Sequence, residues 1–382
     1  MIQLSKTCSR RVAVFLALMV AGCGTSAEIP GMSDPRAVDL SGVRSHVETL
    51  NSSDLEGRET GRLGGARASA YVSGVLRSDL LQPALENEYR WLYPLQKPIL
   101  EHASLHVVLE DTLRLIPGTA FLVDQASGSG TWSGAFGPDE RPLDVLARGI
   151  QVNPDGFRPG PVTNIHAPLK LGLLPPARTV LGRTVSREGS IHVQVRISEE
   201  RVSGIHVLGF LPGSHPVQRD SLVLVMARYD GNGIQGAGTW TDGTDSGLDA
   251  AVLLETARTL AVAQDLDRSI PFSVLFAFVS GVTEACQGVQ WMEQHLPWDR
   301  SAIRQIILLG SLDACVDPSA SFSRATTIPA PDGWWKSGIR GPADDDGLVP
   351  RQDLLTRDRT ARMLPAATIW IQETTRTILQ SK

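Results

Sequence analysis

The chain has 382 residues, of which 42% are hydrophobic and 20% charged, a composition of folded globular proteins rather than fibrous or disordered ones. That length makes one large domain or two smaller ones. A net charge of −5 supplies no basic footprint for a phosphate backbone, which argues against nucleic acid as a partner.

Lys6, Arg10 and Arg11 open the chain with positive charge, and residues 12–21 (VAVFLALMVA) are apolar. The run is too short to span a bilayer, which takes about 20 residues. A basic start, a short apolar run and small residues after it read as a secretory signal over residues 1–22. Val20-Ala21-Gly22-Cys23 resembles the lipobox of bacterial lipoproteins. That resemblance implies cleavage before Cys23, lipidation of its thiol, and the membrane as a partner through the lipid. In the other reading Cys23 is incidental to an ordinary signal peptide. Several acyl chains anchor stably where one is marginal. Gly24 rather than Asp follows the cysteine, which favours the outer membrane within the cell envelope, on the periplasmic side. Residues 23–37 form a Gly-, Ser- and Pro-containing tether.

Of four cysteines, Cys8 leaves with the signal and Cys23 takes the lipid. Cys286 and Cys315 remain. In an oxidising compartment they are either a disulfide or two buried free thiols.

Val43, Val47 and Leu50 at helical spacing predict a helix over 39–50, capped by Asp39 or Ser41. A second helix is expected over 64–81, ending before Pro83. From 84 to 205 the pattern becomes β-rich. Short alternating stretches at 105–109 and 191–197 read as strands among Gly, Pro and Ser clusters. From residue 206 it changes to α/β. The apolar run at 222–227 reads as a strand buried on both faces, 272–279 as a second buried strand and 303–309 as a third strand. They alternate with helices over 247–264 and 285–295. The expected fold is α/β, a mostly parallel sheet covered by helices, with a β-rich insertion. The carboxyl ends of its strands share one edge, where sites form in open α/β sheets. Residues 317–362 show little periodicity, and 366–379 read as a closing helix. The Gly-rich stretch 231–241 (GNGIQGAGTWT) lacks the Lys and helix start of a phosphate-binding loop. It reads as the rim of a site, with Trp240 as a contact.

Three stretches together resemble one family. LNSSDLEGRETG at 50–61, VLGFLPGS at 207–214, and DGTDSG at 242–247 followed by AVLLETARTL at 251–260 look like exported co-catalytic zinc aminopeptidases. These are of the aminopeptidase Y or leucyl aminopeptidase type, related to glutaminyl cyclases and transferrin-receptor-like proteins. The resemblance covers roughly residues 38–313. It makes 38–83 and 206–382 the aminopeptidase-like domain, and it implies a hairpin just before the sheet at 207–214. It places 84–205 where many members carry a protease-associated domain.

The resemblance implies zinc as cofactor, with two ions sharing the water that attacks a peptide carbonyl. His and carboxylate ligands hold them at about 2 Å, and a separate Glu acts as base. Few of those ligands are present. Where His-x-Asp is expected after the first strand stands Arg228-Tyr229-Asp230, and a guanidinium cannot ligate zinc. Asp245 matches the bridging Asp, or else caps the next helix. The Glu-Glu pair falls near Val282-Thr283, so Glu284 is either a shifted ligand and base or an exposed loop carboxylate. The third-strand Asp aligns with Gly310, with Asp313 three residues on. No histidine follows His295 to supply the last ligand.

Arg228, beside Asp230, is therefore expected to supply the positive charge opposite Asp245. Cys286 and Cys315, following the second and third strands, are expected to tie that edge together if their Cα atoms lie about 4.4–6.8 Å apart. The leading expectation is a catalytically degenerate aminopeptidase-like lipoprotein that binds a peptide or small ligand at the carboxyl edge. The alternative is a metal-dependent exopeptidase with a rearranged or single-zinc site of Asp245, Glu284 and Asp313.

Overall fold

The computed structural model describes residues 39–153, 164–235, 238–239, 246–265, 270–310, 312–315, 326–328, 372 and 374–378. The signal, tether and Cys23 lie outside them, as do Trp240, Asp245 and most of 317–371.

The first helix, α1 (Leu40–Leu50), buries Val43, Val47 and Leu50. Asp39 is its cap, accepting from the Ser41 amide at 3.0 Å. Helix α2 (Leu63–Ser78) follows. The chain then forms β1 (Gln82–Pro83), β2 (Arg90–Val108), β3 (Thr112–Leu115), β4 (Phe121–Val123) and β5 (Gly130–Phe136). Next come α3 (Pro142–Gly149), β6 (Gln151–Val152), β7 (Lys170–Leu173), α4 (Pro175–Leu181) and β8 (Gly189–Leu211). The last part holds β9 (Leu222–Arg228), β10 (Ile234–Gln235), β11 (Gly238–Thr239), α5 (Ser246–Asp265), β12 (Ser273–Val279), α6 (Gln287–His295), β13 (Ile303–Leu309) and β14 (Thr326–Ile328).

The main sheet has the order β14-β13-β9-β12-β8-β2-β3, with β1 and β5 also paired to β8. It is mixed rather than mostly parallel. The apolar runs do form a parallel block, β14-β13-β9-β12. From β12 onward every pairing is antiparallel. The cause lies in β2 and β8, strands of 19 and 23 residues that run unbroken from the main sheet into the β-rich region. Residues 207–211 are accordingly the inner end of β8, paired with β12, and not a hairpin placed before the sheet.

All seven residues of β9 and of β12 are buried, as expected for strands covered on both faces. Helix α5 is buried around most of its first three turns (Leu248, Ala250 to Leu254, Ala257). It packs between the sheet and α1, so it lacks the polar face of a surface helix. A second core joins Leu105, Val107, Ile191, Val193 and Val195 from the outer halves of β2 and β8 to Phe121, Leu146 and Leu173.

Candidate functional site: a buried ion cluster at the carboxyl edge of the sheet

Arg228 and Val279 end β9 and β12 and face each other in register. The antiparallel partner β8 passes this edge and continues beyond it, with β2 alongside: Arg90 pairs with Val207, Tyr93 with Gly204, Lys97 with Glu200. The β2–β8 arm thus stands over the edge. Its inward positions alternate as Tyr93, Leu95, Lys97 and Ile99.

Lys97 is fully buried. Its Nζ donates to Glu59 Oε1 at 2.7 Å, to the Thr60 carbonyl at 2.7 Å and to Glu284 Oε1 at 3.1 Å. Three donors meet three acceptors, which satisfies the ammonium. Glu284 is buried, so it is not an exposed loop carboxylate; its Oε2 accepts from the Thr283 hydroxyl at 2.8 Å. Burial raises its pKa, with the nearby Asp230 charge adding to the rise and Lys97 opposing it.

Asp230 is fully buried beside it. Its Oδ1 accepts from Arg228 Nε at 3.2 Å. Its Oδ2 accepts from the Thr60 hydroxyl at 3.2 Å, the Val282 amide at 2.9 Å, and the Thr283 amide and hydroxyl at 3.5 Å each. These partners offset the cost of burying the carboxylate.

The stretch 50–61 supplies the floor. Glu56, Gly57 and Arg58 all have positive φ (47°, 71° and 57°). This twist sends the Arg58 side chain inward, where it donates to the Leu50 carbonyl, to Asn51 Oδ1 at 3.0 Å and to the Tyr229 carbonyl at 2.8 Å. Arg58 and Gly57 carbonyls in turn accept from the Gly231 and Gly233 amides. A side chain at Gly57 would strike the Gly233 backbone, so glycine is required there.

His206, fully buried in β8, stacks on Tyr93 with ring centroids 4.3 Å apart. Its Nδ1 accepts from the Ser280 amide at 3.4 Å. Burial brings its pKa down to about 3, so the ring is neutral. Burial also pushes the Tyr93 phenol well up; its hydroxyl meets Ser280 Oγ at 3.2 Å. On the far side of Thr60 and Ser280 opens a cleft of about 430 Å³, lined by Arg62, Leu63, Ala66, Ser203, Ile205 and Tyr229 among others.

Of the residues expected from sequence, Arg228, Asp230 and Glu284 meet here. Cys286 and Cys315 are bridged, with Cα atoms 5.3 Å apart. Asp245 lies outside the described residues, and so does the side chain of Asp313, whose backbone forms a short turn (Leu312–Cys315). Gly310 follows β13 with φ 71°, and a side chain there would collide with the carboxylate of Asp249. The sequence gives no site role to Lys97, Glu59, Thr60 or His206. The signal for Lys97 was its place in an inward, otherwise apolar alternation.

The fold is similar to that of solved zinc aminopeptidases. The zinc aminopeptidase of Bacillus subtilis aligns with 87% of this chain and 95% of its own, at a TM-score of 0.50 and 11% identity. An aminopeptidase from Aneurinibacillus sp. strain AM-1 gives 0.46 at 11% identity, over 87% of this chain and 94% of its own. A peptidase M28 precursor from Shewanella amazonensis gives 0.46 at 12%, over 90% and 93%. At these identities the likeness is one of fold. No family model matches the chain, and no curated protein matches it.

Zinc is the cofactor that the resemblance read from the sequence implies. The described side chains do not fit a dinuclear zinc site. Asp230 and Glu284, two carboxylates at the edge, already accept from Arg228 and Lys97. Neither cation can ligate a metal while charged. The backbone at Gly310 leaves no room for a further carboxylate beside Asp249.

Proposed function

We propose that this chain is a catalytically degenerate zinc-aminopeptidase-like lipoprotein. It binds a peptide or small ligand at the carboxyl edge of its sheet, and protein cations replace the metal there. The observation that carries this reading is the pair of buried ion contacts, Lys97 with Glu284 and Arg228 with Asp230. Two positive charges stand among acidic groups at strand ends, where a hydrolase of this fold would need metal to polarise a carbonyl and activate water. The cleft lined by Thr60, Tyr229 and Ser280, the last two directly after β9 and β12, supports placing the ligand there. The lipobox at Cys23 supports attachment to the periplasmic side of the envelope, the outer membrane in particular.

The purified protein is expected to release no p-nitroaniline from leucine p-nitroanilide, with or without added zinc. Chelator-sensitive release would instead favour a rearranged single-zinc exopeptidase using Asp245, Glu284 and Asp313. For the anchor, Cys23→Ala should move the protein from the detergent phase to the aqueous phase in a cloud-point partition. An unchanged partition would remove the lipid from the account.

A further inference from the structure

The segment that joins β12 to α6 carries much of the ion cluster. Val282 and Thr283 donate to Asp230, and Glu284 pairs with Lys97. Directly after Glu284, Ala285 and Cys286 both take left-handed backbone conformations, φ 53° and 63°. Non-glycine residues hold such conformations only where surrounding contacts impose them. The buried Glu284 carboxylate adds a desolvation cost at the same place. What fastens this segment from the other side is the Cys286–Cys315 bridge, which ties it to the turn after β13.

We propose that the Cys286–Cys315 disulfide is a redox latch on the ion cluster: reduction frees residues 282–286, and Glu284 withdraws from Lys97 and opens the carboxyl edge. Cys286 is half-buried whereas Cys315 is buried, which makes Cys286 the assigned point of attack. The reductant is a dithiol. One of its thiolates attacks the Cys286 sulfur, a mixed disulfide forms, and Cys315 departs as a thiolate that takes a proton. The second thiol of the reductant then displaces Cys286. The protein disulfide gains two electrons and two protons, and the dithiol becomes a disulfide. Freed of the bridge, Ala285 and Cys286 relax to ordinary backbone angles, a local opening of the kind native proteins undergo segment by segment.

This inference rests on the ion-cluster reading, and its failure is separable because the test leaves metal out. The full chain is treated with dithiothreitol or left oxidised, free thiols are trapped with iodoacetamide, and lysines are acetylated with an N-hydroxysuccinimide ester. Peptide mass spectrometry follows Lys97 against Lys170 as internal reference, with amide hydrogen exchange over β9. The expected result is that Lys97 acetylation rises at least about tenfold on reduction, while β9 amides stay protected. A Cys286→Ala/Cys315→Ala variant should match the reduced protein without any reductant. The proposal is overturned if Lys97 stays protected once both thiols are trapped. It is equally overturned if β9 protection is lost together with that of Lys97, since the bridge then only holds the whole fold.

Discussion

Lys97 is the residue on which the cluster turns. Removing one partner of a buried ion pair leaves an uncompensated charge and costs about 3–5 kcal/mol. Lys97→Met should therefore lower stability by about that amount in urea unfolding, and adding Glu284→Gln should recover part of the loss. A variant as stable as the parent would mean that the contact contributes little. His206 offers a second test at this scale. Its folded pKa is about 3 against an ordinary 6.5, so below pH 6.5 the unfolded chain takes up a proton that the folded one refuses. The stabilisation is whole above 6.5 and is lost as pH falls towards 3, on the order of 5 kcal/mol in total. His206→Phe keeps a ring against Tyr93 and should flatten this part of the stability–pH curve; an identical slope would contradict it.

Sequence reading located Arg228, Asp230 and Glu284 because the resemblance puts its ligand positions after the apolar runs, and the two cysteines because they remain once the signal and the lipobox-like Cys23 are set aside. It missed Lys97 because the cluster joins residues 59, 97, 230 and 284, and no local pattern records that meeting. Glu59 and Thr60 lay within a recognised stretch, yet their inward placement depends on the left-handed backbone at 56–58, which non-glycine residues there do not announce.

Among the elements, the largely apolar runs were legible. Strands read at 222–227, 272–279 and 303–309 are found at Leu222–Arg228, Ser273–Val279 and Ile303–Leu309. The long strand β2 was not, since Pro94 and Pro98 argue against a paired strand. The structure accommodates them because beside those positions β2 has β8 on one flank only; β3 joins the other flank from Leu105 onward. An edge tolerates the missing amide. The ends of strands also decide what can be rebuilt. Gly310 follows β13 with positive φ, against the Asp249 carboxylate. Gly310→Asp, which would restore the aligned acidic position, should destabilise the protein by about 2–3 kcal/mol or more and bring no metal with it. A thermal melt with and without zinc checks both halves. A stable variant that zinc stabilises further would contradict the account.

Over the whole molecule, an α/β block and a β-rich region share one continuous sheet, because β2 and β8 serve both. That continuity brings a lysine from the arm to the strand ends of the block. It also explains why the expectation of a mostly parallel sheet failed: it treated the two regions as separate, whereas their shared strands add the antiparallel half. The physical claim at this scale is that the edge is neutralised from within, by side chains rather than by bound cations. Zinc per chain, measured by plasma mass spectrometry on protein dialysed against zinc and then against metal-free buffer, tests it most directly. The account predicts well under one equivalent retained; about two equivalents, as a dinuclear site requires, would contradict it.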